Sequence, residues 1–219
     1  MGVGVGVGVG VGLPRRAGLL RVRAVTRAEG GGGLRPLAMA GDGGEDARRV
    51  EAVGAMYAKY KKGHFADVED VSAEEAMEMA AAHDAVVFVD TRSEQEMQVS
   101  TIPNAVAGDA FLSEMRGGKH DGKTAVAFCT IGMRSGKFVK AHAADAKGRS
   151  VRLVNLRGSV LSWTHAGGAL VDPAGNAVKD VHVYAAPWDL ARSDHTPHFM
   201  ADNKGFFGGL FHRLARLCA

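Results

Sequence analysis

The chain has 219 residues, with 27 lysine and arginine residues against 24 aspartate and glutamate residues. No apolar run approaches the roughly 20 residues that a membrane-spanning helix needs, so no transmembrane helix is predicted. Residues 1–40 hold six arginines and one glutamate, which leaves 21 basic and 23 acidic residues in the rest. The main part of the chain is therefore nearly neutral, and nucleic-acid binding is not expected.

The first 40 residues differ in composition from the rest of the chain. They begin with alternating glycine and valine over residues 2–12, then contain arginine but no lysine. An arginine-rich, acid-poor segment of small residues is typical of an organelle transit peptide. The alternative is a disordered low-complexity tail. The segment itself does not decide between plastid and mitochondrion.

Two amphipathic helices are predicted next. The first covers residues 45–65, and its apolar stripe consists of Val50, Val53, Met56, Tyr57 and Tyr60. The second covers residues 72–83, where Ser72 and Glu75 have the spacing of a capping box.

Three short apolar runs, at residues 86–89, 125–128 and 151–156, are predicted as strands that alternate with helices. This alternation indicates an α/β fold, with a central parallel sheet and helices on both faces. A weaker strand signal at residues 181–184 follows a glycine-rich polar stretch.

The run A-V-A-F-C-T-I-G-M-R-S, residues 125–135, connects a predicted strand to a helix expected over residues 136–146. Cys129 lies in the turn between them. Backbone N–H groups of such a turn, and those at the helix start, favour a negative charge and lower the pKa of a thiol. We therefore predict that Cys129 is a nucleophilic thiolate. The alternative is an inert, buried cysteine.

The segment C-T-I-G-M-R-S-G, residues 129–136, resembles the active-site loop of single-domain members of the rhodanese family of sulfurtransferases. The resemblance covers about residues 68–188, and it implies the rhodanese-like form of the α/β fold. Residues 181–188, V-H-V-Y-A-A-P-W, are similar to an extension in plant and algal members. The other matching features are Asp90-x-Arg92, Glu96, an Ile-Pro-x-Ala turn at residues 102–105, and the strand, glycine and tryptophan of residues 151–163.

The chain also departs from the family pattern. Ser100 and Thr101 stand where many members have Gly-His, and Asn104 stands where many have glycine. Asparagine tolerates the left-handed backbone conformation, so we expect this turn to be retained. Met133 stands where such relatives often have tyrosine, which changes the rim of the pocket.

The resemblance implies a thiosulfate sulfurtransferase. Cys129 would take the outer sulfur of thiosulfate or a similar donor as a persulfide, and would pass it to cyanide or a thiol. Related phosphatases have a loop one residue longer, so the six residues from Cys129 to Arg134 favour sulfur over phosphate. The substrate-binding residues would be those of the loop: Thr130, Ile131, Gly132, Met133, Arg134 and Ser135.

Arg134 is predicted to attract the anionic donor, and its alternative is a solvated surface arginine. A structural role near the site is expected for Asp90, Arg92 and Glu96. In that role, Arg92 pairs either with Glu96 at the i, i+4 spacing or with Asp90.

No cofactor and no metal site are expected, because His142 and His165 lack a matching second ligand. Cys218 lies one residue from the C-terminus, and the chain has no Cys-x-x-Cys motif. A disulfide relay with Cys129 is therefore not expected.

The C-terminal tail contains apolar residues at helical spacing, with Arg213 and Arg216 on the other side. Such a helix either makes weak peripheral membrane contact or packs on its own domain. The apolar residues are Phe207, Leu210, Phe211, Leu214 and Leu217.

We therefore divide the chain into a transit peptide (1–40), an N-terminal helix (41–66), a rhodanese domain (67–188) and a C-terminal tail (189–219) with an amphipathic helix. The similarity to plant and algal members favours the chloroplast over the mitochondrion. The alternative function is a non-catalytic interaction or redox-sensing module in an organelle, with Cys129 as a modifiable switch.

Overall fold

The computed structural model describes residues 43–82 and 85–200. The predicted transit peptide, the amphipathic helix of the tail and Cys218 lie outside the described residues. No helix in the described part of the chain is long and apolar enough to cross a membrane.

A five-stranded parallel sheet forms the centre of the fold, in the order β1-β5-β4-β2-β3. The predicted strands at residues 86–89, 125–128 and 151–156 correspond to β2, β4 and β5, which confirms their placement. The five strands are β1 (Asp70–Val71), β2 (Val86–Asp90), β3 (Val106–Ala107), β4 (Thr124–Phe128) and β5 (Arg152–Leu156).

Six helices are found in the described part of the chain. They are α1 (Gly43–His64), α2 (Ala73–Ala82), α3 (Glu94–Met97), α4 (Gly108–Arg116), α5 (Met133–Gly148) and α6 (Ser159–His165). The predicted capping box precedes α2: the Glu75 N–H donates to Ser72 Oγ at 3.1 Å, and the Ser72 N–H donates to the Glu75 carboxylate at 2.6 Å.

Helices cover both faces of the sheet, which confirms the predicted fold class. On one face, Val89 and Ala127 pack in a cluster with side chains of α4 and α5. On the other face, Phe88 and Val126 pack in a cluster with side chains of α2 and α6. The central strands are apolar along their length because both of their faces are buried.

The helix predicted over residues 45–65 corresponds to α1, which contributes buried side chains to both clusters. The prediction is wrong for one member of the apolar stripe, because Val50 is 49% exposed. The preceding turn of α1 contacts residues 191–193 through Asp46 and Arg49, so its neighbours there are polar groups and backbone. The buried contacts of α1 begin at Val53.

After α6 the chain forms a short antiparallel hairpin, β6 (Leu170–Val171) and β7 (Ala177–Val178), which lies outside the main sheet. The segment that follows, residues 180–200, is the C-terminal extension. It contains β8 (Asp180–Tyr184), a 3-10 turn (Ala186–Trp188) and β9 (Thr196–Phe199). β8 and β9 form a parallel pair, and Val181 and Val183 are buried in the core, so the extension packs on the domain.

Candidate active site

Cys129 follows the last residue of β4 and precedes α5 by three residues, as the sequence predicts. Its side chain is almost fully buried, with 1% exposure. Two groups donate hydrogen bonds to Sγ: the N–H of Gly132 at 3.2 Å and the hydroxyl of Ser135 at 3.6 Å. The turn and the first turn of α5 therefore each supply one donor to the sulfur.

The pKa of the Cys129 thiol lies below its ordinary value. Burial raises this pKa, because the thiolate loses its hydration. The positive charge of Arg134 and hydrogen bonds from Ser135 and Gly132 lower it, and together they outweigh burial. The site therefore favours the thiolate, which is the nucleophilic form of cysteine.

The start of α6 is hydrogen-bonded to the cysteine loop. The N–H groups of Val160 and Leu161 donate to the carbonyl oxygens of Cys129 and Thr130, each at 3.2 Å. The hydroxyl of Ser159 accepts the Cys129 N–H at 3.0 Å. The helix thus uses its free N–H groups to fix the carbonyls of the loop.

Gly132 is the residue at which the loop turns into α5, and its φ is +99°. A side chain would be strained in this left-handed conformation. The Tyr57 ring also fills the adjacent space. The Asn155 amide donates to the Gly132 carbonyl at 3.3 Å, so β5 also fixes the position of Gly132.

Arg134 forms a bidentate ion pair with Glu96. Its two terminal nitrogens donate to the two carboxylate oxygens, each at 2.7 Å. Glu96 is fully buried, whereas the Arg134 side chain is 39% exposed. Burial raises the pKa of Glu96, but Arg134, the Ser93 N–H and Arg92 lower it to about 2, so this carboxylate is ionised at neutral pH. The charge of Arg134 near Cys129 is therefore already paired.

Asp90 and Arg92 form a second buried ion pair, with Arg92 Nη2 donating to Asp90 Oδ2 at 2.7 Å. Arg92 Nη2 also donates to the carbonyl of Ser100 at 2.7 Å. Of the two partners expected for Arg92, Asp90 is therefore correct and the i, i+4 pairing with Glu96 is wrong. Glu96 instead pairs with Arg134, and the same carboxylate accepts the Ser93 N–H in the capping box of its short helix.

The departures from the family pattern have clear places in the structure. Thr101 donates to the Asp90 carboxylate at 2.8 Å, and the Ser100 hydroxyl donates to the carbonyl of Asp180 at 2.6 Å. Asn104 has φ of +61°, which confirms that it takes the left-handed conformation. The turn is retained, and the two polar residues connect it to β2 and to the C-terminal extension.

A pocket of about 230 Å³ lies beside the loop. Three aromatic residues in its wall were not predicted as part of the site, because they lie far from the loop in sequence. Tyr60 was predicted only as part of an apolar helix face, and the resemblance marked residues 181–188 only as an extension. The wall is formed by Cys129, Thr130, Ile131, Met133, Arg134, Tyr60, Tyr184 and Trp188.

His182 supports the position of Tyr184. Its Nδ1 accepts a hydrogen bond from the Tyr184 N–H at 3.1 Å and lies 3.8 Å from Glu96. Burial lowers the pKa of His182, although the charge of Glu96 opposes this shift. The neutral imidazole is favoured, and only an unprotonated Nδ1 can accept this hydrogen bond.

No group of three or more histidine, cysteine, aspartate or glutamate side chains in residues 43–82 and 85–200 is arranged to hold a metal ion. The His142 ring packs at a tilt against Phe138, with centroids 4.7 Å apart, and His165 contacts the carbonyl of Leu190 at 2.8 Å. The charged and hydrogen-bonding groups described at the site are the Cys129 thiol, its donors and the ion pair of Arg134 with Glu96.

Comparison with solved structures found proteins of low sequence identity. A thiosulfate sulfurtransferase from Pseudomonas aeruginosa is 20% identical with a TM-score of 0.44, and the match covers 57% of this chain and 23% of that enzyme. A rhodanese-related protein from Thermoplasma volcanium is 22% identical with a TM-score of 0.37, covering 47% and 97% respectively. A rhodanese-like domain protein from Staphylococcus aureus is 22% identical with a TM-score of 0.36, covering 43% and 90%.

No curated protein matches this chain. The family model of the rhodanese-like domain matches residues 72–166, which extend from the cap of α2 to the end of α6 and include the whole Cys129 loop. Residues 72–166 therefore match the rhodanese-like domain family.

Proposed function

We propose that this protein is a sulfurtransferase that moves a sulfane sulfur from thiosulfate, or a similar donor, to a thiophilic acceptor through a persulfide on Cys129. One observation carries the proposal: Cys129 Sγ receives hydrogen bonds from Gly132 and Ser135 beside Arg134, and the residue forms part of a pocket wall. This arrangement stabilises negative charge on sulfur in the way that an oxyanion hole stabilises it on oxygen.

In the first half-reaction, the Cys129 thiolate attacks the outer sulfur of thiosulfate. A bond forms between Sγ and that sulfur, and the sulfur–sulfur bond of thiosulfate breaks. The electron pair of the broken bond leaves on sulfite, a dianion, and Cys129 keeps the persulfide with one negative charge. Donors at Sγ are well placed to stabilise this charge as it moves to the outer sulfur.

In the second half-reaction, a nucleophile such as cyanide or a thiolate attacks the outer sulfur of the persulfide. The bond between the two sulfurs breaks, and its electron pair returns to Cys129 as the thiolate. Cyanide gives thiocyanate, and a thiolate gives a new persulfide. The arginine-rich composition of residues 1–40 supports placing this activity in an organelle. The similarity of residues 181–188 to plant and algal members favours the chloroplast, with the mitochondrion as the alternative.

The experiment is to incubate the full chain with thiosulfate and measure its intact mass before and after reduction. We expect a gain of one sulfur atom that reduction removes, and release of thiocyanate when cyanide is added. Cys129→Ser should lose both signals with an unchanged circular dichroism spectrum, because a hydroxyl forms no persulfide. Cys218→Ser is the matched control and should retain both. Absence of sulfur loading in the unaltered chain, or equal loading in Cys129→Ser, would contradict the proposal.

A further inference from the structure

The pocket beside Cys129 has an aromatic rim, which we define as Tyr60, Tyr184 and Trp188. Tyr60 comes from α1, whereas Tyr184 and Trp188 come from the C-terminal extension. A volume of about 230 Å³ leaves space for an organic group in addition to a sulfur atom. Most of the wall is apolar, which suits burial of an apolar ligand surface.

The backbone around Tyr184 fixes the position of this residue in the rim. Tyr184 has φ of +71°, and the Ala185 N–H donates to the Val183 carbonyl at 2.9 Å, so the chain makes a tight turn at Tyr184. An aromatic residue is strained in this conformation, and such strain persists only where the surrounding structure enforces it. The rings of Tyr184 and Trp188 meet edge to face, with centroids 5.5 Å apart.

The extension is also anchored to α1. Arg49 donates to the carbonyl of Ala191 at 2.8 Å, and the Ser193 N–H donates to the Asp46 carboxylate at 2.8 Å. Both contacts lie within five residues of Trp188. These contacts hold the part of the rim that comes from the extension in place without a ligand, which reduces the entropy lost on binding.

The charges around the pocket favour an anion at the sulfur, where Arg134 and the loop donors act, and not on the distant part of an acceptor. Arg134 is the charged side chain among the described residues of the wall, and Glu96 already pairs with both of its terminal nitrogens. That guanidinium also lies over the Tyr184 ring, with Cζ 5.6 Å from the centroid. When Cys129 carries an anionic sulfur, a carboxylate or sulfonate on the acceptor would meet like charge in a site of low polarity.

We propose that the sulfur acceptors of this site are small thiols with an uncharged aromatic body, and that Trp188 and Tyr184 determine this specificity. The inference rests on the proposed function. The acceptor thiolate attacks the outer persulfide sulfur, the bond to Cys129 Sγ breaks, and the electron pair returns to Cys129. The product is the persulfide of the aromatic thiol, whose ring lies in the aromatic rim.

The test measures kcat/KM for the full chain with thiosulfate as donor and two matched acceptors. These are 4-methylbenzyl mercaptan and 4-(mercaptomethyl)benzoate. They differ in the group para to the mercaptomethyl arm, which is an uncharged methyl group in the first and a carboxylate in the second. We expect the uncharged thiol to be preferred by about tenfold or more. Cyanide is measured in parallel, since it has no organic group that could reach the aromatic rim.

Trp188→Ala should reduce kcat/KM for 4-methylbenzyl mercaptan by about tenfold, and by less than about threefold for cyanide. Trp188→Phe, which keeps a ring, should recover most of the lost activity and also tests the site if the alanine variant does not fold. Val50→Ala is the matched control, because Val50 is an exposed apolar residue of α1 that is not part of the pocket wall. This variant should change neither value.

Two results would overturn the inference alone: turnover with cyanide but equal kcat/KM for the two aromatic thiols, or equal losses for cyanide and the uncharged thiol in Trp188→Ala. The second result would mean that Trp188 only supports the loop. If sulfur is transferred to none of the three acceptors, the proposed function is overturned, and the inference with it.

Discussion

The Tyr57 ring lies directly against the α-carbon of Gly132: a β-carbon added at position 132 would fall 2.6 Å from Tyr57 Cε2. The Tyr57 hydroxyl donates to Asp70 at 2.6 Å and accepts from the Asn155 amide at 2.9 Å. Tyr57 belongs to α1, which precedes the residues matched by the rhodanese-like domain. The N-terminal helix is therefore part of the support of the cysteine loop.

This contact predicts that Gly132→Ala damages both stability and sulfur transfer. The new methyl group would meet the Tyr57 ring, and alanine would be strained at φ of +99°. We expect the free energy of unfolding to fall by about 2–4 kcal/mol. Activity should fall further than the folded fraction does, because the Gly132 N–H that binds Cys129 Sγ would move. Urea unfolding and a thiocyanate assay measure the two effects.

Gly54→Ala is the control for this substitution. Gly54 lies inside α1, and a β-carbon there would meet nothing within 4 Å. Alanine should therefore stabilise the helix by about 0.5–1 kcal/mol and leave sulfur transfer unchanged. Similar stability and activity for the Gly132→Ala protein and the unaltered chain would show that the loop can relax away from Tyr57.

The parts of the fold that the sequence predicts well depend on local patterns. Apolar runs define β2, β4 and β5, and the spacing of Ser72 and Glu75 defines the cap of α2. The left-handed turn at Asn104 also follows from the residue type. The position of Cys129 between a strand and a helix belongs to this group, since it depends only on the residues next to it.

The parts that the sequence does not reveal depend on contacts between distant segments. Glu96 has a local candidate partner, Arg92, at the spacing of one helical turn, but it pairs with Arg134, which is 38 residues away. Tyr184 and Trp188 enter the pocket only because the C-terminal extension packs back on the domain. Neither arrangement leaves a periodic or local signal in the sequence.

The Glu96–Arg134 pair predicts a specific loss of stability in acid. The pKa of Glu96 is lowered in the folded state to about 2, from an ordinary value of 4.5. Its contribution to stability is therefore complete above about pH 4.5 and is lost as the pH falls towards 2. This contribution is on the order of 3 kcal/mol. Urea unfolding of the unaltered chain between pH 5 and pH 2.5 should show the decline.

Glu96→Gln should flatten this decline while lowering stability at pH 7, because glutamine keeps the shape of the side chain but does not titrate. Glu94→Gln is the matched control, since Glu94 is exposed on the same short helix. This variant should keep the pH dependence of the unaltered chain. An equal slope in all three proteins would show that other carboxylates cause the acid loss.

A second pH prediction concerns the thiol. Because Arg134, Ser135 and Gly132 lower the pKa of Cys129, its alkylation by iodoacetamide should reach half of its maximal rate below about pH 8.5, the ordinary value for cysteine. The measurement uses a Cys218→Ser background, and the same protein unfolded in urea supplies the ordinary cysteine.

Arg134→Gln should move the midpoint of alkylation to higher pH, since the largest of the effects that lower the pKa is lost. The change also leaves the charge of Glu96 unpaired, which acts in the same direction. Combining it with Glu96→Gln removes that second effect, and the remaining shift belongs to Arg134. A midpoint that is the same in the folded and unfolded chain would refute the stabilisation of the thiolate.

The final prediction is that the chain has negligible phosphatase activity on aryl phosphates. Its six residues from Cys129 to Arg134 make a small loop, in which the Gly132 N–H lies 3.2 Å from the sulfur itself. A phosphate group needs several donors around three oxygens, and therefore a wider ring of N–H groups. Inserting one glycine between Gly132 and Met133 should widen the ring and reduce sulfur transfer. Hydrolysis of an aryl phosphate by the unaltered chain, at a rate that rivals its formation of thiocyanate, would show that loop length does not separate the two chemistries here.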